Sequence, residues 1–136
     1  MTTVDNCRII NLDQHHSDRQ GDLSVVENKK DIPFDVKRVY YLYDVPGGAE
    51  RGGHAHKGLY QLLIAASGSF IVVLDDGKKR RRISLNRPYK ALLIVPGIWR
   101  ELEDFSSGSV CLVLASEHYN EDDYIRNFNE FLSYKE

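Results

Sequence analysis

Between residues 38 and 115 the chain falls into short runs rich in β-branched and aromatic residues, each closed by a turn sequence. This regular spacing limits the possible folds more than any other feature. The runs are Arg38–Tyr43, Tyr60–Ala66, Ser69–Leu74, Arg81–Leu85, Ala91–Val95 and Val110–Ala115. The breaks are Pro46-Gly47-Gly48, Ser67-Gly68, Asp75-Asp76-Gly77, Arg87-Pro88, Pro96-Gly97 and Ser106-Ser107-Gly108. Helical crossovers do not fit between such closely spaced strands, so the pattern predicts an all-β antiparallel sandwich or barrel and not a βαβ fold. Asp76-Gly77 between two runs predicts a tight hairpin. After residue 120 the pattern changes. Tyr124, Ile125, Phe128, Phe131 and Leu132 form an apolar stripe of helical period, which predicts one helix over 122–134. Asn120, Glu121 and Asp122 suit its start through capping and the helix dipole. At 136 residues, without a linker or internal repeat, residues 1–136 are expected to form a single domain.

Charge and composition exclude several classes of function. A net charge of −2 offers no general attraction to nucleic acid or to an anionic membrane. The basic run Lys78-Lys79-Arg80-Arg81-Arg82 follows acidic Asp75-Asp76 at the predicted hairpin. It reads as a solvated edge strand protected against aggregation, not as a nucleic-acid patch. No apolar stretch reaches the ~18–20 residues of a membrane span, and the N-terminus lacks a basic region followed by an apolar core. Cys7 and Cys111 form no CxxC pair, which points to a reduced, cytoplasmic protein.

The chemistry-bearing feature lies at Gly47-Gly48-Ala49-Glu50-Arg51-Gly52-Gly53-His54-Ala55-His56-Lys57. On an extended segment, side chains two residues apart share a face, so His54 and His56 enter one cavity. HxH followed by Gln61 is similar to the first motif of the cupin barrels, with a neutral amide where that motif carries Glu. Gln61 is a poor ligand for a divalent cation. Where a second cupin motif would place a further histidine, the chain has Ile98-Trp99-Arg100-Glu101, and the charge on Arg100 opposes a metal. Two imidazoles are too few for a closed site, and His15, His16 and His118 lie far off in sequence. No metal and no other cofactor is expected.

Without a metal, the pair is either a buried polar pair satisfied by its neighbours or a proton-transfer site. Imidazole titrates near neutral pH and can take and return a proton. The surroundings favour the second reading. The four glycines allow a ligand to approach the backbone, and Arg51 can fork onto phosphate oxygens. Arg38, Arg51, Lys57 and Arg100 together make a cationic rim suited to an anionic substrate.

Over almost the whole chain, these residues resemble the sugar 3,4-ketoisomerases that act on dTDP-4-keto-6-deoxyglucose. The resemblance runs through Ile32-Pro33-Phe34, Lys37-Arg38-Val39-Tyr40-Tyr41, Arg51-Gly52 with His54-Ala55-His56-Lys57, and Leu74-Asp75-Asp76-Gly77. It continues in Trp99 with Glu101, Asp104-Phe105-Ser106-Ser107, Val113-Leu114-Ala115-Ser116 and Asp123-Tyr124-Ile125-Arg126. It implies a cupin-type antiparallel jelly-roll barrel with a short C-terminal helix, and a metal-independent homodimer. The pathway neighbours it implies are a dTDP-glucose 4,6-dehydratase and a PLP-dependent aminotransferase, in the synthesis of 3-amino-3,6-dideoxyhexoses for surface polysaccharides.

The implied reaction removes the C3 proton, forms an enediol across C3–C4 and returns a proton to C4. The resemblance assigns this shuttle to His54 and His56, with His54 on the carbon proton and His56 on the oxygen proton or its orientation. The reverse assignment is the alternative. The resemblance places Arg51 and Lys57 on the diphosphate, with Arg38 and Tyr40 nearby and Gln20, Trp99 and Arg100 among the substrate-binding residues, while Tyr60 and Gln61 either contact the sugar or line the barrel. Two positions separate family members by product configuration at C4, here Gln20 (before Gly21) and Arg100 (after Trp99). Arg100 matches the gluco group; Gln20 matches neither group, and Arg19 is its possible substitute. The rival readings are a dTDP-4-keto-sugar 3,5-epimerase, a non-catalytic sugar-nucleotide-binding module and a metal-dependent dioxygenase. The epimerase would require a His–Asp pair and a catalytic tyrosine, for which the sequence shows no motif.

Overall fold

The computed structural model describes all 136 residues. Two five-stranded antiparallel sheets face each other. In one, β1 (Arg8–Asn11), β9 (Lys90–Ile94), β6 (Gln61–Ser67), β11 (Val110–Ala115) and β4 (Arg38–Leu42) lie in that spatial order. The other has the order β12 (Tyr124–Ile125), β5 (Arg51–His56), β10 (Trp99–Glu103), β7 (Phe70–Asp75) and β8 (Arg80–Leu85). A separate hairpin, β2 (Gln14–Ser17) with β3 (Gly21–Ser24), stands outside both sheets. One helix, α1 (Phe128–Lys135), closes the chain. This is the all-β jelly-roll with a short C-terminal helix that the sequence led us to expect.

Strand alternation divides the side chains into an interior set and two outer sets. Leu63, Phe70, Val72, Leu74, Leu92, Leu102, Phe105 and Val113 belong to the buried apolar cluster between the sheets. On the outside of the first sheet, Leu62, Ile64, Leu93 and Leu114 are covered by Ile32 and Phe34. On the outside of the second, Ala55, Trp99 and Ile125 pack against Phe131 of α1. Both faces of the central strands are thus buried.

The hairpin between β7 and β8 forms as expected. Gly77 adopts φ 93°, which glycine reaches without steric cost. Asp75 Oδ1 accepts the Gly77 N–H at 2.7 Å, and Asp76 Oδ1 accepts those of Lys78 and Lys79. β8 is an edge strand, and Arg80 and Arg82 on it pair with Asp75, Glu101 and Glu103. The basic run is therefore a solvated edge, as its sequence suggested. No helix is long and apolar enough to cross a membrane.

The C-terminal segment departs from the predicted helix over 122–134. Glu121–Asp123 is a 3-10 turn capped by Asn120, Tyr124–Ile125 is β12, and α1 starts at Phe128 with Asn127 as its N-cap. The reason is tertiary. Tyr124 and Ile125 pair with His56 and Ala55 at the open edge of β5, and an edge of unpaired backbone groups outweighs a local helical preference.

Candidate active site

The interior of the barrel is apolar at one end and polar at the other. Arg38 and Tyr40 on β4, His54 and His56 on β5, Gln61 at the start of β6 and Arg100 on β10 occupy the polar end. Arg100 stands directly across from His54 in the β5–β10 pairing. A cavity of about 490 Å³ opens here, lined by Arg38, Tyr40, Leu42, Arg51, Gly52, Gly53, His54, Arg100, Leu102, Tyr124 and Arg126. Four of these are arginines and none is a carboxylate.

Arg51 and His54 reach the same cavity although they lie three positions apart, a spacing that puts side chains on opposite faces of a regular strand. The strand is not regular. Arg100 pairs with His54 but Leu102 with Arg51, so β5 carries one extra residue at Gly52-Gly53. Such a bulge re-aims the side chain before it. Gly53 has a second role, because a Cβ there would lie 2.5 Å from the Trp99 indole.

The two imidazoles meet edge to face, with ring centroids 4.9 Å apart. Tyr124 closes over both, at 5.1 Å from His54 and 4.3 Å from His56. The Arg126 guanidinium lies over the Tyr124 ring, 4.2 Å from its centroid, and Glu121 holds Arg126 through two hydrogen bonds of 2.6 and 2.9 Å. His56 Nδ1 lies 2.9 Å from Asp123 Oδ2. This is a His–Asp pair of the kind the sequence showed no motif for, formed across 67 residues.

Burial pushes the His54 imidazolium down to about 2, with further lowering from Arg100, His56, Arg126 and Arg38. Burial also lowers His56, but only to about 4, because the hydrogen bond it donates to Asp123 offsets part of the effect. Both rings are therefore neutral at pH 7 and able to accept a proton. Burial raises the Tyr40 phenol, so it keeps its proton, while its oxygen accepts from Arg100 at 3.0 Å. The O–H remains free to donate.

Several buried polar atoms in this region find no partner within the protein: Nε2 of His54 and of His56, both amide atoms of Gln61, Nε and Nη2 of Arg38, and Nε of Arg100. Buried polar groups are satisfied in nearly all native structures, so this cluster calls for hydrogen-bond partners that the protein itself does not supply. No three His, Cys, Asp or Glu side chains converge as a metal-binding group.

Some residues expected near the site lie elsewhere. Lys57 follows His56 with opposite strand parity and lines a cleft with Pro96 and Gly97. Trp99 faces outward and packs against Phe128 and Phe131 at 5.2 and 5.7 Å, so it anchors α1 and does not line the cavity. Gln20 sits on the exposed turn between β2 and β3. Gln61 is inside the barrel but does not line the cavity. Sequence reasoning missed site roles for Asp123, Tyr124 and Arg126. A two-residue strand has no detectable period, so only the Asp123-Tyr124-Ile125-Arg126 match to the resembled family could have pointed to them.

Comparisons with known proteins agree with this geometry. The family model described as FdtA, WxcM-like, C-terminal, matches residues 5–136. The chain is 47% identical over 117 residues to the TDP-4-oxo-6-deoxy-alpha-D-glucose-3,4-oxoisomerase of Aneurinibacillus thermoaerophilus, covering 86% of this chain and 84% of that protein. Its structure is similar to that of the WlaRB TDP-quinovose 3,4-ketoisomerase from Campylobacter jejuni, with TM-score 0.89, 48% identity, and 94% and 98% of the two chains covered. It is also similar to QdtA, a sugar 3,4-ketoisomerase from Thermoanaerobacterium thermosaccharolyticum in complex with TDP, with TM-score 0.93, 43% identity, and 98% and 96% covered.

Proposed function

We propose, for a chain that belongs to the FdtA family of WxcM-like C-terminal domains, the isomerisation of TDP-4-keto-6-deoxyglucose to a TDP-3-keto-6-deoxyhexose. It is a 3,4-ketoisomerase. The observation that carries this reading is a pair of neutral imidazoles in contact, each with a buried, unpartnered Nε2, with His54 in the wall of a cavity whose charged groups are all cationic and His56 buried directly beside it. A sugar ring edge offers two adjacent oxygens and two exchangeable carbon positions to such a pair. A nucleoside diphosphate matches the arginines.

In this reading His54 removes the C3 proton as general base and returns a proton to C4. His56 moves the hydroxyl proton from the C3 oxygen to the C4 oxygen. The net change is a relocated carbonyl with no gain or loss of electrons. The enediolate oxygen meets the free O–H of Tyr40 and the Arg100 guanidinium, donors fixed before the charge develops. Arg51 at the rim, with Arg38 and Arg126, binds the diphosphate by charge-assisted hydrogen bonds. Lys57, on the opposite face of β5, takes no part. Arg100, together with the similarity to a TDP-quinovose enzyme, supports a gluco-configured product.

The protein acts in the cytoplasm as a homodimer, between a dTDP-glucose 4,6-dehydratase that supplies the 4-ketone and a PLP-dependent aminotransferase that aminates the 3-ketone. Support for the dimer comes from β4, a sheet edge whose outer face exposes Val39, Tyr41 and Tyr43. Support for the location comes from two unpaired thiols, Cys7 and Cys111.

The test is carbon NMR of substrate labelled at C3 and C4, run with EDTA present. The carbonyl resonance is expected to move from C4 to C3. A carbonyl that stays at C4 overturns the reading.

A further inference from the structure

Unlike His54, His56 is held by a carboxylate. Asp123 approaches from the 3-10 turn before β12 and is fixed at three points. Its Oδ2 lies 2.9 Å from His56 Nδ1, its Oδ1 accepts the Gly58 N–H at 2.7 Å, and its backbone oxygen accepts the Lys57 N–H at 2.9 Å. A carboxylate can only accept, so Nδ1 must carry the ring proton and the lone pair of neutral His56 must lie on Nε2. That Nε2 is buried and unpartnered within the protein.

We propose that Asp123 is a positioning residue of the isomerisation: it holds His56 in the Nδ1–H tautomer, directing a proton-accepting Nε2 into the barrel. The proposal rests on the assignment of oxygen-proton transfer to His56. In the step concerned, the proton of the C3 hydroxyl passes to Nε2, the ring becomes an imidazolium, and the same proton leaves Nε2 for the C4 oxygen. Asp123 stabilises that transient cation.

The other groups facing His56 cannot do this. They are His54 on the same strand, Tyr124 on β12, Arg100 on β10 and Arg38 on β4. The arginines oppose a second positive charge, and Asp123 is the carboxylate that offsets them. His54 stands on the same face without a carboxylate and is depressed further. The two imidazoles therefore differ in basicity although the sequence presents them as equivalent.

The first experiment records nitrogen-15 shifts of the His56 ring in the wild-type protein at pH 7. Nδ1 protonated with Nε2 bare is expected; a protonated Nε2 overturns the proposal without any variant. The second is Asp123→Asn. Its amide oxygen can still accept from Gly58, while its NH2 faces Nδ1 and drives the ring to the opposite tautomer, as happens when the aspartate of a His–Asp pair is amidated. The expected result is a kcat lower by about 10²-fold or more, with KM and TDP affinity nearly unchanged and the ring shifts exchanged. An unchanged kcat in a folded variant overturns the proposal. Should that variant not fold, the wild-type spectrum decides. The spectrum needs no turnover, so the tautomer stands or falls independently of the reaction assigned to the protein.

Discussion

Protonation of His56 at acid pH should destabilise the fold, and the size of the effect follows from its burial. The ring is 5% exposed, and its folded-state pKa lies at about 4 against an ordinary 6.5. A pKa lowered by folding means that the unfolded chain binds the proton first as pH falls. Stability from this group is constant above about 6.5, declines between 6.5 and about 4, and then levels off. At pH 5 the loss is about 1.5 units times 1.36 kcal/mol, or ~2 kcal/mol. This is a large share of the 5–15 kcal/mol typical of a domain. The assay is urea unfolding followed by fluorescence of the single tryptophan, Trp99, at pH 7.5 and 5.0, in wild type and in His56→Asn. Asparagine keeps a donor for Asp123 but does not titrate. The variant should lose ~2 kcal/mol less on acidification than the wild type, roughly 1 M in the difference of urea midpoints. The exposed His16, raised by Asp22 and Asp18, acts in the opposite direction but is common to both proteins and cancels. Equal acid losses in the two proteins would refute the reasoning.

Other substitutions test separate parts of the account. His54→Asn should abolish turnover while calorimetry shows TDP binding retained; normal turnover removes His54 as the carbon base. Arg51→Ala should raise KM by roughly 10- to 150-fold, the equivalent of losing a charged hydrogen bond of ~1.5–3 kcal/mol, with kcat little changed. Gly53→Ala forces a methyl against the Trp99 indole and should cost about 1–3 kcal/mol in urea unfolding, with a shifted Trp99 emission. Phe131→Ala empties the contact between α1 and β10 and should cost about 3–5 kcal/mol, read by the same unfolding curve.

Much of the barrel was legible because its signals are local. Asp76-Gly77 defines a hairpin through its own backbone and side-chain hydrogen bonds, and each of the six apolar runs overlaps a strand of the structure to within a residue at either end. The joint presence of His54 and His56 in the interior follows from strand parity alone. The same parity separates Lys57 from His56, and Trp99 from Arg100, since adjacent residues on a strand face opposite ways. Grouping these neighbours by sequence proximity overrode that rule. Arg51 is the reverse case: parity would exclude it, and the bulge at Gly52-Gly53 restores it. The helix start was misplaced because Tyr124 and Ile125 have helical spacing with Phe128 and Phe131, yet bury more by completing the edge of β5. The His56–Asp123 pair could not be read from spacing or period, since two residues 67 positions apart meet only through that edge pairing.

The central claim is that two imidazoles move a carbonyl from C4 to C3 by proton transfer, and proton NMR of TDP-4-keto-6-deoxyglucose with the protein in D2O tests it most directly. The account predicts loss of the C3 hydrogen signal, deuterium at C4 and a carbonyl at C3. Deuterium at C3 and C5 with the carbonyl still at C4 would make the protein an epimerase, and binding without any exchange would leave His54 and His56 with no catalytic part.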